Sequence, residues 1–122
     1  MSEARRIYVW IGTFQGSDDD WTDYFDVDRL GASCGFCRDT GVKWFDLDRF
    51  STYNAGTVLP VEDIVIEVPF SEQFELDLLS ACQSLGIPKA SHCVALIDFE
   101  GEVVPGGGYL GLTLVGVFGF RA

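Results

Sequence analysis

The sequence is short of positive charge: 8 Lys and Arg stand against 19 Asp and Glu, for a formal net charge of −11. A field of that sign repels phosphate backbones and anionic bilayers, which argues against nucleic acid and membrane surfaces as partners. It favours a basic protein partner, chiefly by raising the on-rate. Acidity by itself is also common among soluble proteins and says nothing of fold. No apolar run approaches membrane-spanning length. The opening Met1-Ser2-Glu3-Ala4-Arg5-Arg6 leads into a short apolar strand and not a signal-peptide core, so the expected compartment is the cytoplasm. Four cysteines there are expected as reduced thiols. The spacing of a calcium loop is absent around Asp18 to Asp28, and the three glycines at 106–108 are followed by neither Gly-Lys-Ser/Thr nor a strand-to-helix turn. No cofactor is expected. Repeats and internal boundaries are missing as well, and 122 residues suit one domain, 1–122, with a core large enough to need no staples.

What is present is apolar, aromatic and patterned, with 48% hydrophobic and 14% aromatic residues. Ile7 to Ile11 is β-branched and aromatic, the mark of a first strand. Ser17 followed by Asp18, Asp19 and Asp20 reads as a capped helix start with acids in the positive first turn. Trp21, Tyr24 and Phe25 then form an inward stripe, and Asp23 and Asp26 point away. A short helix is expected over 33–40, closed by Gly41, a loop over 51–59, and a short helix from Pro60. Ser71 to Leu85 carries Phe74, Leu78, Ala81, Cys82 and Leu85 at helical spacing, with Ser71 as cap and Gly86 and Pro88 as stops. His92 to Phe99 is apolar on both faces, an inner strand with His92 at its start. Turns are expected at 100–102 and 105–108. Over 110–120, Leu110, Leu112, Leu114, Phe118 and Phe120 alternate with Thr113, Val115 and Val117, the pattern of a long strand whose glycines pack against Trp10 or Trp44. Together these give an α+β fold with a mainly antiparallel sheet of about 4–5 strands and helices on one face.

Three stretches carry possible chemistry. Asp18, Asp19, Asp20, Asp23, Asp26 and Asp28 place six carboxylates in eleven positions, either a helix cap with a solvated face or a patch that docks a basic partner. Cys34 and Cys37 have C-x-x-C spacing, but zinc requires a second ligand pair and only Cys82, His92 and Cys93 remain. The redox form of the motif follows a strand, and here a polar turn precedes it. A small metal- or thiol-dependent protein built on Cys34 and Cys37 is the alternative to a binding protein, as is a generic acidic interaction module. The third stretch, Val42 to Phe50, alternates rings and acids. If extended, it puts Trp44, Asp46 and Asp48 on one face and Phe45 and Leu47 on the other. Asp46 and Asp48 would stand roughly 7 Å apart, yet nothing around them completes a catalytic site, so no enzyme is expected.

Four landmarks occur in order: Val9-Trp10-Ile11-Gly12, Phe36-Cys37-Arg38-Asp39, Trp44-Phe45-Asp46-Leu47-Asp48-Arg49-Phe50, and Gly116-Val117-Phe118-Gly119-Phe120. In this order and spacing the chain resembles the immunity protein 22 family. The resemblance implies a small non-enzymatic bacterial α+β protein that binds a cognate toxin non-covalently and neutralises it. A basic nuclease toxin would suit the charge. The candidate contacts are Asp18, Asp19, Asp20, Asp23, Trp44, Asp46 and Asp48.

Overall fold

The computed structural model describes residues 4–41, 43–99, 108–109 and 111–121. The strands are β1 (Ala4–Gly12), β2 (Phe50–Pro60), β3 (Lys89–Ile97), β4 (Gly108–Tyr109) and β5 (Leu112–Arg121). The helices are α1 (Asp18–Tyr24), α2 (Val27–Leu30), α3 (Gly35–Thr40), α4 (Val61–Val65) and α5 (Glu75–Ser84). One five-stranded sheet runs in the order β2-β3-β1-β5-β4, with antiparallel neighbours. The α+β class and antiparallel sheet are as the pattern predicts. The turn expected at 100–102 and residues 105–107 of the turn expected at 105–108 lie outside the described residues, as do Val42 and Leu110, while Gly108 opens β4 instead of ending a turn.

Helices cover both faces of the sheet, not one. Tyr8, Trp10, Val94, Leu96, Leu112 and Leu114 form one core with Tyr24, Val27, Phe36 and Cys37 of α1 to α3. Ile7, Val9, Ile11, Ala95 and Val115 form the other with Val61, Ile64 and Val65 of α4 and Leu78 and Cys82 of α5. The cause is written in β1, whose six residues from Ile7 to Gly12 are all buried. A strand apolar on both sides demands a cover on both sides.

Other departures have local causes. The stretch 51–59 is strand, because an edge strand needs only one ladder and one packed side: Tyr53, Ala55 and Leu59 rest on the second core while polar residues between them face water. Its composition hides that half-pattern. The strand also breaks register, since Asn54 faces His92 and Leu59 faces Ala90, so 55–58 bow out. Asn54 Oδ1 accepts the Gly56 amide at 2.8 Å and shapes that bow.

In β5 the pairing slips opposite Val9 and Trp10, leaving Val115 as an extra residue. Leu112 and Leu114 therefore enter the first core, and Phe118 and Phe120 the second. They do not share the face that simple alternation predicts. The ring beside Gly116 is Phe118, not a tryptophan.

α5 begins at Glu75 after a 3-10 turn over Ser71–Gln73, so Ser71 caps no helix; Leu78 and Cys82 are its buried stripe. Among the described residues no helix is long and apolar enough to cross a membrane.

Candidate protein-binding site

The acidic helix is built as its sequence requires. Ser17 Oγ accepts the Asp20 amide at 3.1 Å and Asp20 returns a carboxylate oxygen to the Ser17 amide at 3.0 Å, a reciprocal cap. Trp21, Tyr24 and Phe25 pack inward, their rings linked to Phe14 and Phe36. Asp18, Asp19, Asp20 and Asp23 are exposed. Asp23 meets Arg29 at 2.6 Å, and Asp26, which caps α2, meets the same guanidinium at 3.0 Å. That bonding to Arg29 holds the Asp26 carboxyl below its ordinary range.

The run from Trp44 to Phe50 is not one extended piece. Asp46 caps a 3-10 turn over Leu47–Arg49, its Oδ1 accepting the Asp48 amide at 2.9 Å. The alternation therefore ends early: Phe45 is 3% exposed and Trp44 61%, but Leu47 also faces outward. Phe45 docks on Phe36 and Phe50, anchoring the turn to the first core. Arg49 lies 3.7 Å from Asp46 and 3.6 Å from Asp98, and Arg5 meets Asp98 at 2.9 Å. Burial would raise the Asp98 carboxyl, but the Arg6 amide with the Arg5 and Arg49 guanidiniums outweighs it and holds the group below its usual value. This cluster pins the turn to the start of β1.

The two groups of candidate contacts thus sit on the same side of the sheet, with the packed rings of Phe25, Phe50 and Phe45 between them. Among the described residues, Asp18, Asp19, Asp20 and Asp48 make no ion pair, whereas Asp23 and Asp46 are engaged by arginines of this chain.

A cleft of about 360 Å³ opens beside the first turn of α1, lined by Ser17, Asp18, Asn54, Ser91, His92 and the bowed segment of β2. His92 lies inside β3, not at its start, opposite Gly12 and Asn54. Its ring leans on Trp21 with centroids 4.5 Å apart. Nδ1 accepts the Phe14 amide at 3.4 Å and lies 2.5 Å from Ser91 Oγ, so the neutral ring carries its proton on Nε2, a tautomer assigned from these partners. Burial lowers the His92 pKa, opposed in part by the charge of Asp18. A depressed histidine contributes stability that is whole above about pH 6.5 and is lost as pH falls from there through the folded midpoint. The chain has one histidine, so its imidazole proton can be followed by NMR without ambiguity. The midpoint should fall below about 6.5, and lower still in Asp18→Asn. A midpoint at or above the ordinary value would mean that the ring is not desolvated.

The thiols are divided by the sheet. Cys34 and Cys37 belong to the first core, Cys82 and Cys93 to the second, and all are buried. Burial pushes the Cys93 thiol up to about 12 and Cys82 to about 11. Burial and the adjacent Cys34 push Cys37 up to about 12. Thiols so placed are poor nucleophiles. Among the described residues no three His, Cys, Asp or Glu side chains gather as a metal site.

The cleft is assembled from three separate elements, and its lining residues His92 and Asn54 were not among the candidate contacts. The one sequence signal was Asn54-Ala55-Gly56, a turn pattern inside what proves to be a strand.

These features define an acidic α+β protein that offers an exposed indole, several acids without an ion pair among the described residues, and a polar cleft. The profile of the Immunity protein 22 family matches residues 7–121, and the chain belongs to that family. No curated protein and no solved structure matches it. Membership implies the neutralisation of a cognate toxin.

Proposed function

We propose that the protein, acting as one unit over 1–122, neutralises a basic toxin in the cytoplasm by covering the toxin's active surface, and that it performs no chemistry itself. A nuclease domain, basic because it must hold phosphates, is the toxin class that suits the charge. The observation that carries this reading is Trp44, 61% exposed and beside Asp46 and Asp48. Tryptophan is among the residues that dominate binding energy once desolvated. Asp18, Asp19, Asp20 and Asp23 on the same side would steer a basic surface toward it. The toxin contacts proposed are these four acids with Trp44, Asp46 and Asp48.

The test is to co-express the toxin domain encoded by the adjacent reading frame and to measure binding over a range of salt. Replacing Asp18, Asp19 and Asp20 together with Asn should weaken binding by about tenfold or more at low ionic strength, mostly in the on-rate, and flatten its salt dependence. Asp20 also serves the helix cap by accepting the Ser17 amide, and Asn keeps a carbonyl oxygen that can accept it, so the fold should survive. An unchanged affinity at low salt would remove the acids from the interface. A toxin that remains active under saturating protein would remove the function.

A further inference from the structure

We propose that the cleft between α1 and the bowed segment of β2 receives one arginine side chain projected by the partner, with its guanidinium on the Asp18 carboxylate. This rests on the toxin reading above and assigns it a specific contact. Among the described residues, Asp18 is the one carboxylate that lines the cleft, and no Lys or Arg lines it. Asp23, Asp26, Asp46 and Asp98 each have an arginine of this chain within ion-pair distance, but Asp18 has none among the described residues. Its side-chain contact is the Asn54 amide at 3.5 Å, a long bond that leaves most of the carboxylate free to accept. The neutral His92 ring adds no competing positive charge. His92 lines the cleft, and its ring rests on Trp21 with centroids 4.5 Å apart.

Size agrees with one side chain. A space of about 360 Å³ is near the low end for ligand clefts, too small for a helix and sufficient for an extended arginine head and stem. The bow of β2 supplies the outer wall, and Asn54 Oδ1, already accepting from Gly56, fixes the amide so that its nitrogen faces Asp18. The cation would displace that long contact and replace it with a charge-assisted one, which is shorter and stronger.

Two charge-matched changes separate a seated cation from general attraction. Asp18→Asn and Asp19→Asn remove the same charge from the same helical turn, but only Asp18 lines the cleft. Against the toxin domain encoded by the adjacent reading frame, Asp18→Asn should raise Kd about tenfold or more, and Asp19→Asn about threefold or less. Equal losses would overturn the cleft contact and leave the toxin reading standing; a wild-type protein that binds no toxin would overturn that reading instead. An arm without toxin decides the cleft in either case. Nα-acetyl-argininamide at about 20 mM, enough to populate a millimolar site, should shift the His92 and Trp21 ring signals in wild type. Nα-acetyl-glutaminamide should not, and Asp18→Asn should abolish the shift. Wild-type signals unmoved by the arginine probe would end the proposal.

Discussion

Phe36→Ala should lower the unfolding free energy by about 3–5 kcal/mol, the cost of deleting a fully buried ring whose surroundings cannot collapse. Phe36 is 0% exposed, and its ring lies 5.1 Å from Trp10, 5.3 Å from Phe25 and 5.1 Å from Phe45. Those rings belong to β1, the end of α1 and the Trp44 turn. The cavity would therefore open where the sheet meets the two elements that carry the candidate contacts. A domain of this size has about 5–15 kcal/mol in total, so the variant should be marginal, its melting temperature lower by about 10–20 °C. Urea titration with both proteins at one pH would measure it; an unchanged slope with a lower midpoint marks lost stability and not a changed denatured state. Phe36→Leu keeps most of the volume and should cost less than half as much. A loss below about 1 kcal/mol for the alanine would mean that Phe36 is not the hub the ring distances make it.

The same rings show what a sequence can and cannot carry. The pattern puts Phe36 on a short helix closed by Gly41, and α3 ends there with Gly41 at φ 78, because local cap chemistry is written in adjacent residues. α1 was legible for the same reason, through Ser17, Asp20 and the Trp21, Tyr24, Phe25 stripe. β3 was legible because both its faces are apolar. β2 was not, because an edge strand pays for only half its pattern and its polar half resembles a loop. The change of face at Val115 was hidden too, since a bulge is a property of two strands and not of one. The site divides along the same line. The acids of α1 and the exposed Trp44 could be named from local spacing, but the capped turn at Asp46 replaced the expected flat face. The cleft needs Asp18 and Asn54, 36 residues apart, brought to His92 on a third element. No window along the chain contains all three.

Gly12→Ala should be a severely damaging single-methyl addition, at about 3 kcal/mol, the upper part of the range for overpacked interiors. A Cβ on Gly12 would stand 2.1 Å from the Gly111 carbonyl oxygen and 2.9 Å from Leu112 Cα, both backbone atoms that cannot rotate away. β1 and β5 would have to part where Gly12 pairs Leu112 and where the Thr13 amide donates to Gly111 at 3.3 Å. Gly41→Ala is the control: it meets nothing within 4 Å, so it bears only the left-handed backbone cost, about 1 kcal/mol. The consequence for the site is specific. Thr13 lines the cleft, and the Phe14 amide is a donor to His92 Nδ1, so displacing the chain just after Gly12 should loosen the histidine and admit water. The His92 midpoint should then rise toward about 6.5 in Gly12→Ala, because desolvation is what depresses it. In Gly41→Ala it should stay where the wild type has it. Loss of stability without movement of the histidine would show that the strand ends part without disturbing the cleft, and that the Phe14 amide does not hold the ring.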